Sequence, residues 1–143
     1  MKLQKNTLFA LYSVLESASR PERQLSAGEI ARKYGISPHH LAKVLHTLAR
    51  AGVVESVRGV GGGHRFAGNA RRLTLLDVID LFENIGAPKR GSGPPARRHR
   101  AGAGVERAVS TVLSEIDAMA EATLRSISIA TLLKLIARQR RRA

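Results

Sequence analysis

The chain has 143 residues, with 24 Lys and Arg against 11 Asp and Glu and a formal net charge of +13. That length suits one domain, or one domain with an extension, and the charge asks for a polyanion as partner. The absence of cysteine excludes structural disulfides and every thiolate-held metal or cluster site.

Met1-Lys2-Leu3-Gln4-Lys5 ahead of Thr7 to Leu15 faintly imitates a signal peptide, but polar residues interrupt it. No stretch approaches the roughly 20 apolar residues that span a bilayer, so a cytoplasmic protein is expected. A helix from about Asn6 to Ser19 explains the segment better. Leu11, Val14, Leu15 and Ala18 fall on its core face, and Leu8 and Phe9 add to it. Arg20 to Gln24 is a connector.

Ser26 can cap the next helix, and Glu29, placed three residues on, can reach back to the cap's own N–H. Ile30, Ala31 and Tyr34 share a face, and Gly35 stands where a helix must end in a left-handed residue. After Ile36 comes Ser37-Pro38, a cap followed by the first helical position, where proline's missing N–H costs nothing. Leu41, Val44, Leu45 and Leu48 then recur as a buried stripe, with His39, Lys43, His46 and Arg50 about opposite. These are the demands of a helix-turn-helix whose second helix enters a major groove, although a plain helical hairpin needs similar residues.

Ala51-Gly52 ends that helix. Val53 to Val57 alternates as a strand, Arg58 to Gly63 turns the chain, and His64-Arg65-Phe66 returns. A hairpin directly after a recognition helix is a wing. Gly59, Gly61, Gly62 and Gly63 allow positive φ and a close approach of backbone to phosphate, and Arg58 at the tip can enter a narrow minor groove. A nucleotide-phosphate loop fits poorly, because no Lys-Ser or Lys-Thr follows and no helix opens after the glycines.

Asn69 to Leu73 is a turn, and Thr74 caps a helix whose third residue, Asp77, suits the helix dipole. Val78, Ile79, Leu81 and Phe82 are expected to pack it on the core before it stops at Gly86. Asp77, Asp80 and Glu83 read as a solvated acidic face. From Gly86 to Gly104 the composition turns to Pro, Gly, Ala and Arg with no apolar pattern, a mobile basic segment that adds phosphate contacts or serves only as a linker. Val105, Val109, Val112, Ile116 and Met119 follow at alternating steps of four and three, the seam of a coiled coil through a helix of about 18 residues that needs a partner. Ser128 caps a last helix, whose Ile129, Leu132, Leu133, Leu135 and Ile136 should fold back on the domain. Arg138, Arg140, Arg141 and Arg142 form a basic tail suited to a helix C-terminus or to DNA.

Catalysis is disfavoured by the same residues. No Gly-x-Ser-x-Gly elbow is present, and His39, His40, His46, His64 and His99 show no convincing ligand spacing. No metal or cofactor is expected. At the start of a recognition helix, His39 and His40 can instead exchange hydrogen bonds with base edges and phosphates.

The run Ile30-Ala31, Gly35-Ile36-Ser37, Leu41, Leu45, Leu48, Ala51-Gly52, Val54, Ser56-Val57-Arg58-Gly59 and Gly62-Gly63 resembles the Rrf-two family of bacterial winged-helix transcription regulators. That family includes regulators of iron-sulfur cluster assembly, nitric oxide response, iron uptake and cysteine metabolism. The resemblance is good over residues 1 to about 85 and looser beyond, and Ser-Val-Arg-Gly-x-x-Gly-Gly is its most specific part. It implies that the first helix supports a dimer, that residues before it touch the DNA backbone, and that the helix carrying Val105 to Met119 crosses its twin; Lys2 and Lys5 are either those backbone contacts or ordinary solvated lysines. Cluster-sensing members carry cysteines in the region of Gly86 to Gly104 and often a carboxylate at the position of Ala42. Both are absent here, so the resemblance does not extend to the cofactor, and base preference stays open. His64 stands where the family usually has an aromatic residue.

The expectation is a mainly α protein with a small β-hairpin wing. Residues 1–85 form the winged helix-turn-helix, 86–104 a basic loop, and 105–143 a dimerisation helix and a packing helix. As a homodimeric repressor it would read a pseudo-palindrome in double-stranded DNA. Ser37, His39, His40 and Lys43 are the candidates for the major groove, Arg58 for the minor groove, and Gly59, Gly61 and Gly62 for the backbone approach. Two alternatives stay open: a nonspecific nucleoid or RNA-binding protein, and a regulator acting chiefly through a protein partner, as a cluster-free relative does. A small effector is open as well.

Overall fold

The computed structural model describes residues 1–59, 61–85 and 102–143. The basic segment expected to be mobile therefore lies almost wholly outside the described residues, as does Val60 in the wing turn.

Helix α1 (Lys5–Ser19) starts one residue before the expected position. Its buried face is lined by small and polar residues as well as aliphatic ones: Thr7, Ala10, Leu11, Ser13, Val14, Ser17 and Ala18 are buried, whereas Leu8, Phe9 and Leu15 are only partly so. Small side chains on that face let α1 pack closely against α3, which runs from Pro38 to Arg50. Helix α2 (Ala27–Tyr34) ends at Gly35 with φ 63°, the left-handed residue its sequence calls for. Ser26 Oγ accepts from the Glu29 N–H at 3.1 Å. The reciprocal half of the expected box is missing, because the Glu29 carboxylate turns to Arg23, 3.6 Å away.

In α3, Leu41, Val44, Leu45 and Leu48 are buried, as their spacing requires. Ile36 fills the corner between α2 and α3 at 5% exposure. Ser37 holds the N-cap position, but its side chain makes no cap bond, which corrects the expectation from sequence. Pro38 holds the first helical position, where its missing N–H costs nothing.

Gly52, at φ 76°, turns the chain out of α3 into β1 (Val54–Val57), which pairs antiparallel with β2 (Gly63–Phe66) in the register Val54 to Phe66 and Val57 to Gly63. A third segment joins the sheet edge. Leu25 N–H donates to the His64 carbonyl and His64 N–H to the Leu25 carbonyl, both at 2.8 Å. The wing is thereby tied to the residue that leads into α2.

Thr74 and Asp77 form a complete capping box at the head of α4 (Leu75–Ile79). That helix is shorter than expected: after Ile79 the chain turns, and Leu81 is 36% exposed, whereas Leu76, Val78 and Ile79 are buried and Phe82 packs partly on the core. The turn delivers Glu83 to the start of α1, where its Oε2 accepts from Gln4 N–H at 2.9 Å and from Thr7 Oγ1 at 2.5 Å. Glu83 is thus a clamp on the α1 N-terminus, not part of a solvated face, and its charge suits that end of the helix dipole.

Helix α5 (Ala103–Ser126) is 24 residues long and has no buried residue. It begins two residues before the expected boundary. Ser128 Oγ accepts from Thr131 N–H at the head of α6 (Ile129–Arg142). Ile129 is buried in the common core, and Leu133 packs against it. Leu135, expected to fold back with them, is 49% exposed. None of the described helices is long and apolar enough to cross a membrane.

Candidate nucleic-acid interface

The buried stripe of α3 fixes which side of that helix faces outward. Packing of Leu41, Val44, Leu45 and Leu48 leaves His39, His40, Ala42, Lys43, His46 and Arg50 exposed along the opposite side. Ser37, exposed and without a cap bond, extends that row at the helix start, the end at which a recognition helix meets base edges. The rings of His39 and His40 lie 6.4 Å apart and tilted by 38°. Among the described residues Lys43 pairs with no carboxylate. The row therefore offers a hydroxyl, three imidazoles, an ammonium and a guanidinium to the same side.

The wing lies directly after α3, separated by a turn at Ala51 to Val53, with Val53 N–H donating to the Leu48 carbonyl at 3.0 Å. Arg58 is exposed and makes no ion pair among the described residues. By contrast, Arg65 on β2 is held by Glu55 on β1 at 2.6 Å. Gly59 and Gly61 have φ of 111° and 76° and are exposed, a backbone that only glycine adopts without strain. Gly62 is different. Its N–H donates to the Gly59 carbonyl at 2.9 Å, and a Cβ there would stand 2.5 Å from the Val57 carbonyl oxygen. Gly62 is glycine for the hairpin's own closure, so its amide is spent and it leaves the set of backbone phosphate contacts expected from the sequence.

His64 sits at the wing's base, with Nδ1 buried and unpartnered. Burial holds its imidazole below the ordinary value, so the ring is kept neutral.

Sequence reasoning missed the contact that steadies the helix-turn-helix on α1. Glu16 accepts from Lys33 Nζ at 2.5 Å and from the Tyr34 hydroxyl, and the Tyr34 ring stacks on Tyr12 with centroids 4.9 Å apart. Burial raises the Glu16 carboxyl, but donation from Lys33 and Tyr34 outweighs it and holds the group below its ordinary value. Burial and the same bond push the Tyr34 phenol well above its own. The only trace in the sequence is Tyr12 and Glu16 one helical turn apart, which does not say that Lys33-Tyr34 lies opposite.

Comparison with known proteins agrees with this geometry. The Rrf2 (Rrf-two) family model, described as an iron-dependent transcriptional regulator, matches residues 3–135. An HTH-type transcriptional regulator named BadM, from Rhodopseudomonas palustris, is 52% identical over 142 residues, covering 99% of this chain and 87% of that protein. CymR, the global cysteine regulator of B. subtilis, has a similar fold, with a TM-score of 0.74 at 23% identity over 94% of this chain and 98% of its own. IscR of T. potens follows at 0.63 and 25%, covering 94% of this chain and 87% of its own.

Iron in the family description finds no thiolate here, because the sequence has no cysteine. Residues 86–101 contribute a single histidine, His99, and no carboxylate. No three of His, Asp and Glu converge among the described residues. The residues present therefore do not fit an iron-sulfur cluster, whose irons are held chiefly by cysteine. A winged helix-turn-helix with an open, cationic outer side on α3 and a family match over nearly its whole length leaves one assignment: the chain belongs to the Rrf2 family of DNA-binding transcriptional regulators, which are not enzymes.

Proposed function

We propose that this regulator is a homodimeric, sequence-specific repressor that binds a pseudo-palindromic operator and works without an iron-sulfur cluster. The observation that carries the reading is the uncommitted row on α3 beside an uncommitted Arg58 at the wing. Ser37, His39, His40 and Lys43 enter the major groove, Arg58 the adjacent minor groove, and the exposed backbone at Gly59 and Gly61 lies against the phosphates. The partner is a second copy of the chain. Val105, Val109, Val112, Ile116 and Met119 are all more than half exposed, and their heptad spacing is what two helices need to bury one another. Two recognition helices held this way meet half-sites roughly 34 Å apart.

Selection from a random duplex library at about 0.15 M salt, where weak nonspecific contacts are screened, tests the reading. A two-fold symmetric motif is expected. Tight binding at low salt with nothing enriched would mean a nonspecific nucleic-acid binder, and a protein recovered without DNA would favour a partner-dependent role. On the selected duplex, Arg58→Ala should weaken specific binding by about 1–3 kcal/mol. Wild-type affinity in that variant removes the wing from recognition.

A further inference from the structure

The cleft between α1 and α6 is used by neither the DNA face nor the α5 seam. It is open to solvent on one side and holds about 480 Å³, within the roughly 300–1,000 Å³ of small-molecule sites. Tyr12 and Leu15 line it from α1, Tyr34 from the end of α2, and Leu133, Ile136 and Arg140 from α6. The walls are mostly apolar, and one is the stacked Tyr12–Tyr34 pair.

Its charges are unequal in what they have left to offer. Glu16, at the same cleft, is already satisfied by Lys33 and Tyr34. Arg140 is near enough to act on both Glu16 and Tyr34 electrostatically, yet among the described residues it forms no ion pair. An apolar hollow with one uncommitted guanidinium selects a ligand with an apolar body and one carboxylate. Tyr34 also ends the first helix of the helix-turn-helix and adjoins the Gly35 turn into α3.

We propose that the α1–α6 cleft is an effector site for a small apolar monocarboxylate, read out by the recognition helix through Tyr34. Arg140 takes the carboxylate, the aliphatic and tyrosyl walls take the body, and any displacement of Tyr34 bears on the α2–α3 turn. The regulatory half of this inference rests on the DNA-reading function above, whereas ligand binding does not.

The chain contains two tyrosines and no tryptophan, and both tyrosines line the cleft, so intrinsic fluorescence reports on this site alone. The full-length protein is titrated with octanoate and adamantane-1-carboxylate, both transparent at these wavelengths, and with their uncharged amides. Saturable emission changes are expected, with the amides bound about tenfold more weakly. Arg140→Gln should erase that difference, and Ala137→Phe, filling the cleft from the exposed side of α6, should abolish binding of acid and amide alike. No saturable change, equal affinity for acid and amide, or indifference to both substitutions overturns the site. So does emission that depends on protein concentration and ignores the probes, which would mean that a second copy covers the cleft. Anisotropy on the selected duplex then reads the coupling: carboxylate-selective binding with unchanged duplex affinity overturns the effector role. A failed duplex selection would count against the repressor reading and leave the fluorescence result standing.

Discussion

Glu16 joins two helices by accepting from Lys33 and Tyr34, and its folded carboxyl lies below the ordinary value of 4.5. A carboxylate held low in the folded state stabilises fully above 4.5 and loses that contribution as pH falls through its folded value. Glu16→Gln should therefore cost about 1 kcal/mol at pH 7, discounted for the half-exposed Lys33. The gap to wild type should narrow below pH 4.5, as read from urea melts across pH. His64 works in the same direction for another reason. Its imidazole is depressed from 6.5 by burial alone, so acidification below 6.5 favours the unfolded chain, which takes up the proton more readily. His64→Phe removes both the titration and the unpartnered buried Nδ1. It should raise stability by roughly 1 kcal/mol and flatten the melting temperature between pH 5 and 7, roughly where histidine titrates. A steeper pH dependence in that variant would mean that another group governs the window.

At the scale of elements, the wing shows what local pattern can and cannot tell. Four glycines between two alternating runs announce a hairpin, and positive φ at Gly59 and Gly61 accounts for two of them. The other two answer to contacts remote in sequence or folded back on the turn itself. A Cβ on Gly63 would lie 2.5 Å from the Leu25 carbonyl oxygen, where the segment before α2 adds itself to the sheet. Gly63→Ala should therefore cost about 1–3 kcal/mol and weaken duplex binding by shifting the wing off α2, checked by denaturation and anisotropy together. A stable variant with unchanged affinity would show that the Leu25 edge does not position the wing. The helix-turn-helix was legible because its signals are local: a 3.6-residue stripe, Gly35 to end α2 and Pro38 to start α3. Ser37 and Glu29 misled for the converse reason. Residue type permits a cap bond, but which acceptor or donor the side chain meets is decided by its rotamer and neighbours, here an exposed hydroxyl and Arg23. Similarly, the apolar run through Leu81 promised a longer α4, whereas the chain turns after Ile79 and brings Glu83 to the head of α1, a contact remote in sequence.

For the whole molecule the decisive feature is α5, about 36 Å of helix at 1.5 Å per residue with no buried residue along it. Only its last turns join the body, through Leu124 against the core, while Val105, Val109, Val112, Leu113, Ile116 and Met119 stand 52–68% exposed. Each large aliphatic side chain moved from water to cover gains about 1.5–3 kcal/mol, so this face favours association. The heptad was readable from sequence because it depends on spacing alone. What covers it was not, because a repeat specifies the geometry of a partner and not its identity. The proposed second copy would satisfy that geometry and also bring a second α3 to the DNA, and Ile116→Asp separates the two requirements. Ile116 is 52% exposed, so the substitution should leave the helical circular dichroism of the protein intact while placing two carboxylates in the apolar seam of any dimer. Sedimentation should then show a monomer, against the dimer proposed for the wild type. Binding to a two-half-site duplex should fall by about a hundredfold, because the second half-site is no longer engaged at high effective concentration, while binding to a single half-site should be unchanged. A dimeric Ile116→Asp protein with full operator affinity would place the interface elsewhere and leave the α5 seam to a different occupant.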